Sequence, residues 1–240
     1  MITLFTDFGP GGPYVGQLHA VLAQQAPGTA VIDLFHDLPR HDIRAAAYLL
    51  PAYTRGFPPG TVHVCVVDPG VGSARRALMV KADHRWYVGP DNGLFHVLAR
   101  RAQALDCLEI QWRPVQMPAS FHGRDLFAPV AAQLARGSVP ASAPVAMTPP
   151  IPDWPDDLPQ VLYIDHFGNA MTGLRADRLA QDARLQIGNT TLARARTYSE
   201  TGEGEGFWYE NANGLVEIAV NQGRASAEYS IAVGDPVRIA

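Results

Sequence analysis

Asp68 ends an apolar run and opens a tight turn, Val64-Cys65-Val66-Val67-Asp68-Pro69-Gly70-Val71-Gly72, with Arg75 and Arg76 a few residues on. A carboxylate delivered into a Pro/Gly loop meets a closely approaching ligand, because glycine removes side-chain bulk and exposes backbone amides. A guanidinium beside it keeps it ionised. The carboxyl ends of strands are also where α/β sheets hold ligands. The plainer structural reading is an Asx-type turn with a surface ion pair to Arg75 or Arg76.

Three other loops follow expected strands and carry comparable groups. In Thr6-Asp7-Phe8-Gly9, Asp7 offers an acceptor-only carboxylate suited to a sugar diol. In Phe121-His122-Gly123-Arg124-Asp125, His122 is suited to orient or deprotonate a nucleophile, while Arg124 and Asp125 suit a structural ion pair at a helix start. In Asp165-His166-Phe167-Gly168-Asn169, Asn169 has both donor and acceptor groups and can read a purine edge or an amino-acid head group. A turn residue, a structural histidine and a β-turn are the plain readings of these three.

Several familiar motifs fail. Gly9-Pro10-Gly11-Gly12-Pro13-Tyr14 has tyrosine where G-x-G-x-x-G needs its last glycine. There is no Walker A loop, no G-x-S-x-G and no H-E-x-x-H. The stretch His36-Asp37-Leu38-Pro39-Arg40-His41-Asp42 has metal-ligand chemistry, but Pro39 separates the pairs, and a turn with His41 or Asp42 capping a helix accounts for it better.

The elements that must position these groups come from periodicity. Residues 2–5, 31–35, 62–67 and 108–111 read as strands, and 77–80 with 86–88 as a hairpin. Helical spacing covers 14–25, 41–50, 93–101 and 125–136. The alternation predicts an α/β domain over residues 1–136 with a mainly parallel sheet. Residues 137–159 hold seven of the chain's 20 prolines, which predicts an extended linker. Over 160–240, short strands at 161–165, 185–187, 207–210, 215–220 and 236–239, with one helical stretch at 175–181, predict a small β-barrel domain.

The 240 residues suffice for a sizeable core, and 47% hydrophobic with 18% charged residues is an ordinary globular composition. A net charge of −4 argues against a nucleic-acid partner. No apolar run reaches the length of a membrane helix, and the start has no signal-peptide pattern. With two cysteines, Cys65 and Cys107, reading as reduced thiols, a cytoplasmic protein is expected.

Taken together and in order, Thr6-Asp7-Phe8-Gly9 with Tyr14-Val15-Gly16, the Asp68 turn, Pro90-Asp91-Asn92-Gly93-Leu94, Phe121-His122-Gly123-Arg124-Asp125-Leu126-Phe127-Ala128-Pro129 and Asp165-His166-Phe167-Gly168-Asn169 resemble the S-adenosyl-L-methionine (SAM) hydroxide adenosyltransferase family, relatives of the fluorinase and chlorinase. The resemblance runs from Ile2 to Ile239. It implies an N-terminal α/β domain, a C-terminal β-barrel, and a homotrimer with substrate held between subunits. It implies hydrolysis of SAM to adenosine and methionine without a metal or redox cofactor, with Asp68, Arg75 and His122 around the attacking water. It further implies Asp7 on the ribose hydroxyls, Asp165 and Asn169 on the methionine moiety and nearby adenosine, and Phe121, Tyr198 and Phe207 lining the nucleoside. Ala212, Asn213 and Val220 would add contacts from the second domain. The halogenases have a tyrosine or similar group where Asp68 stands, and an anionic Asp68 would repel a halide. A SAM-binding module without turnover, or a halogenase, are the alternative expectations.

Overall fold

Five residues of unbroken apolar or β-branched character, Ile2–Thr6, form β1, and all five are buried in the computed structural model, which describes residues 1–148 and 154–240. The chain divides into two units, Met1–Pro152 and Asp153–Ala240. In the first, β1 is followed by α1 (Pro13–Gln25), β2 (Val31–Phe35), α2 (Ile43–Thr54), β3 (Val62–Val66), β4 (Ala77–Ala82), β5 (Arg85–Pro90), α3 (His96–Arg101), β6 (Leu105–Ile110), α4 (Ala128–Ala135) and β7 (Ser142–Pro144). The seven strands form one sheet in the order β2-β1-β3-β5-β4-β6-β7.

The sheet is mixed rather than mainly parallel. β1 pairs parallel with β2 and β3, and β3 with β5, but the β4–β5 hairpin, β4–β6 and β6–β7 are antiparallel. The hairpin reverses the chain within the sheet, so every strand beyond it runs by antiparallel pairing. The expected linker also contributes: Ser142–Pro144 pairs with β6 as an edge strand, a place where proline's missing N–H costs no ladder bond. Residues 149–153 of that stretch lie outside the described residues.

Strand alternation gives each face its own partners. Ile2, Leu4, Val62, Val64 and Val66 pack with Leu18 and Leu22 of α1 and with the α4 residues Val130, Ala131 and Leu134. On the opposite face Phe5 meets Phe35, which meets Tyr53 of α2, and Tyr87 bonds Thr54. Each fully buried aliphatic side chain contributes about 1.5–3 kcal/mol. His63 belongs to this second face: it bonds Thr3 Oγ1 at 2.7 Å and stacks on Tyr87, and burial, assisted by Arg85, pushes its imidazole down to about 3.

Two helices depart from their expected limits. Asp42 caps α2 by accepting from the Ala45 amide at 2.8 Å, and the helix runs on past Pro51 to Thr54 because its apolar face stays buried. Before α4 the chain makes a π-helical turn, Gly123–Phe127, and Pro129 then occupies the first turn of α4, where its missing N–H is harmless.

The second unit contains β8 (Leu158–Ile164), β9 (Ala170–Arg175), β10 (Leu185–Ile187), β11 (Thr190–Leu192), β12 (Gly206–Glu210), β13 (Leu215–Val220), α5 (Ala225–Glu228) and β14 (Val237–Ile239). These form two sheets, β11-β10-β14 and β12-β13-β9-β8. The expected barrel is therefore not closed among the described residues: the sheets touch at their edges through single bridges, Gln160 with Pro236 and Arg194 with Trp208. Pro236 has no N–H to extend the first seam. The helical stretch expected at 175–181 is instead the end of β9 and one 3-10 turn, Ala176–Arg178. Trp208, Leu185, Val216 and Ile218 anchor the core of this unit.

Candidate active site

The parallel pairing of β1 with β3 sets Thr6 opposite Val66, so Asp7 and Asp68 emerge one and two residues beyond that pair at the same sheet end. Asp68 then enters the glycine turn. Gly72 is left-handed at φ 82°, and a Cβ there would stand 2.9 Å from the Ala119 carbonyl. Only glycine lets this turn lie against the strand of loop that leads to Phe121 and His122.

Arg75 returns from the turn to grip Asp68 from the side. Its Nε lies 2.8 and 3.0 Å from the two carboxylate oxygens, and its Nη2 also bonds Oδ2. The same Nη2 lies 3.0 Å from His122 Nδ1. The side chains of Asp68 and Arg75 are 4% and 9% exposed, and His122 is buried. Burial first, then Arg75, holds the His122 imidazole below its ordinary range, with Asp68 opposing. Arg76 is engaged elsewhere, with Asp91 at 2.6 Å.

Asp68 and His122 border a cavity of about 280 Å³ that is also lined by Asp7, Phe8, Tyr14, Arg40, His41 and Phe121. Asp7 Oδ2 accepts from the His41 backbone amide at 2.9 Å, which fixes the carboxylate plane. Phe8, Tyr14 and Phe121 form an aromatic cluster with ring centroids 5.2–5.9 Å apart. Arg124 pairs with Asp125 at 2.7 Å and covers Phe121. Phe8 and Tyr14 were given no role of their own from sequence, and His41 was read only as a turn or helix-capping residue. Phe8 and Tyr14 flank the Asp7 loop closely enough to be suspected, whereas His41 arrives from the turn between β2 and α2.

The remaining expected residues lie in the second unit. Asp165 accepts from the Asn169 backbone at 2.8 Å and from its Nδ2 at 3.0 Å. Tyr198 packs edge-on against buried Phe207 at 5.1 Å. Ala212 and Asn213 sit in the turn between β12 and β13, where the Asn213 amide donates to Asn211 Oδ1. Val220 is buried in the apolar core. Around these stand three groups missed from sequence: Tyr209, Asn211 and Glu217. Tyr209 donates to Glu217 at 2.5 Å and Asn211 Nδ2 donates at 2.9 Å. Burial raises the Glu217 carboxyl, opposed by those two bonds. The available signal was a lone carboxylate in the apolar strand Leu-Val-Glu-Ile-Ala-Val.

The residues of the 36–42 segment do not converge as a metal site. His36 Nδ1 bonds Thr6 Oγ1, and Asp42 is spent on its helix cap. Among the described residues no group of three or more His, Cys, Asp or Glu could hold a metal ion, and no helix is long and apolar enough to cross a membrane.

The SAM hydroxide adenosyltransferase N-terminal domain matches residues 2–143, and the C-terminal domain of that family matches residues 159–238. A Thermus thermophilus protein named (R)-S-adenosyl-L-methionine hydrolase is 42% identical over 99% of this chain and 98% of its own length. One of the same name from Salinispora arenicola is 39% identical over 99% of this chain and 97% of its own. A solved structure of a conserved protein from Thermotoga maritima superposes with a TM-score of 0.89 at 31% identity, covering both chains completely.

Proposed function

The chain belongs to the SAM hydroxide adenosyltransferase family, and from that premise we propose that Asp68, Arg75 and His122 hold the water with which this enzyme hydrolyses SAM to adenosine and L-methionine. The observation that carries the reading is the Arg75 guanidinium bridging Asp68 and His122 beside a cavity that Asp7 also borders.

The reaction is in-line displacement at the ribose 5′ carbon. A neutral thioether leaves a sulfonium centre, so the leaving group needs no general acid. The nucleophile needs one cluster to orient it and take its proton. Asp68 keeps lone pairs that its arginine contacts do not use, so it accepts a hydrogen from the water. His122 Nδ1 faces a group that only donates, which places the imidazole proton on Nε2. His122 therefore donates to the water oxygen, and as that oxygen attacks the 5′ carbon the water's proton passes to Asp68 while methionine leaves with the bonding pair of the broken C–S bond. Nucleophile and sulfonium charges both fade in the transition state, so the aromatic cluster of Phe8, Tyr14 and Phe121 assists by excluding water that would stabilise the separated charges.

Asp7 takes the ribose hydroxyls. Asp165, Asn169, Tyr198, Phe207, Ala212, Asn213 and Val220 are assigned to the methionine and nucleoside contacts of the second unit, Phe207 and Val220 from behind the first layer because both are buried. The assembly is a homotrimer whose sites are completed between subunits, and light scattering should give three times the 26.0 kDa chain mass. Buried, unpaired Cys65 fits a reducing cytoplasm.

Incubation with each sulfonium epimer of SAM in oxygen-18 water tests the function. Adenosine labelled at its 5′ oxygen, with one methionine per adenosine, is expected, and the R epimer named for the relatives should be preferred. Absence of both products, or unlabelled adenosine, rejects direct attack by water. Formation of 5′-chloro-5′-deoxyadenosine with added chloride would instead mark a halogenase.

A further inference from the structure

Glu217 is the only charged residue of β13 and is 3% exposed. Its surroundings form one hydrogen-bonded chain whose directions follow from the donors present. At one end Asn211 Oδ1 accepts from the Asn213 and Leu215 amides at 2.9 and 3.0 Å, so Asn211 must turn its Nδ2, a pure donor, toward Glu217 Oε2 at 2.9 Å. Separately, the Asp165 carboxylate accepts from Asn169 Nδ2 at 3.0 Å.

A pure donor thus faces Glu217 from the Asn211 end, and the acid must meet it with an acceptor. Tyr198 lies 3.4 Å from Tyr209, and Tyr209 is 2.5 Å from Glu217 Oε1. The tyrosine hydrogen of Tyr209 goes to the carboxylate, so Tyr198 donates to Tyr209. An ionised Glu217 accepts on both oxygens and satisfies every member. The two tyrosines and Glu217 share a face because Tyr209 and Glu217 are cross-strand partners.

We propose that Glu217 is a positioning residue that sets the direction of this chain, and thereby holds Tyr198 and the Asn211 turn in the arrangement that binds the nucleoside amino-acid substrate. The inference rests on the proposed function for its substrate and on this network for the role.

Glu217→Gln keeps size and removes the direction. Asn211 still demands an acceptor, so the carboxamide oxygen faces it and the new NH₂ faces Tyr209. Tyr209 must then donate back toward Tyr198, which loses its acceptor. The expected result is about a tenfold rise in KM for SAM, with the smaller part of the loss in kcat. Adding Asn211→Asp restores the count: the new carboxylate at 211 accepts both backbone amides and the carboxamide at 217, whose oxygen returns to Tyr209. KM should return to within about threefold of wild type. An unchanged KM in Glu217→Gln, or a double variant that binds no better than the single one, overturns the proposal. If the single variant does not fold, the double variant against wild type decides it, wild-type-like KM supporting and weakened binding overturning. Wild-type turnover separates the two readings: without it the proposed function fails, whereas turnover with a KM indifferent to these changes overturns only the role of Glu217.

Discussion

Arg75 Nη2 stands 3.0 Å from His122 Nδ1 while the rest of the guanidinium grips Asp68. Because arginine is a donor only, the contact is also a statement about protons: the imidazole is neutral and carries its hydrogen on Nε2. One cation thus grips the carboxylate and keeps the histidine uncharged.

Asp68→Asn and His122→Ala should each lower kcat by about 10²–10⁴-fold with smaller changes in KM. Adenosine formation at saturating SAM measures this. Turnover within tenfold of wild type in both variants would remove the pair from the chemistry. Asp68→Asn should also cost stability, because it leaves the largely buried Arg75 charge without its partner.

The acid limb of activity follows from His122. Its imidazole is held below the ordinary 6.5 by burial first and by Arg75 second. The working neutral form therefore persists below pH 6.5 and is lost as pH falls through the lowered value. The limb of kcat/KM should lie below 6.5. Arg75→Met should move it upward, with burial still acting. A limb that stays in place when Arg75 is removed would assign it to another group.

Asp7→Ala should raise KM by about 10- to 100-fold, the worth of hydrogen bonds to a charged acceptor. It should also abolish discrimination between SAM and its 2′-deoxy analogue, since the carboxylate that reads the diol is gone. If the variant still discriminates between the two, the sugar is read by other residues.

Acid should weaken the fold through His63. Its folded value of about 3 lies well below the unfolded 6.5. The unfolded chain binds the proton first, so stability is present above pH 6.5 and is lost as pH falls toward 3. Between pH 7.5 and 5 the loss from this group is about 2 kcal/mol. Urea unfolding at the two pH values should show it, and His63→Phe should flatten that part of the pH dependence.

Much of this was legible along the chain. Apolar runs ending in Asp7, Asp68 and Asp165 announced strands delivering carboxylates into turns, and the strand-helix alternation announced an α/β first unit. The sheet's mixed direction was harder to read, because periodicity reports which residues face a core and not which neighbour a strand pairs with. The strand Ala170–Arg175 was missed, since a central glycine and a flanking turn weaken its alternation. The barrel expectation failed for a related reason: short strands announce β structure, while closure depends on ladder bonds at two edges, each reduced here to a single bridge.

The sequence by itself determined the chemistry available: an acid in a glycine turn, an arginine within reach, a histidine before a helix, and motifs in an order specific to one family. Tertiary structure decided which of these meet and in what protonation state. Arg75 rather than Arg76 was selected by the path of the turn, and His122, 47 residues further along, was brought to it by Gly72 packing against Ala119. Glu217 acquired its role only by facing Tyr209 across a strand pair. The physical reason is range. Local patterns are set by sterics and burial of near neighbours, whereas a hydrogen's direction is set by every donor and acceptor the fold assembles around it.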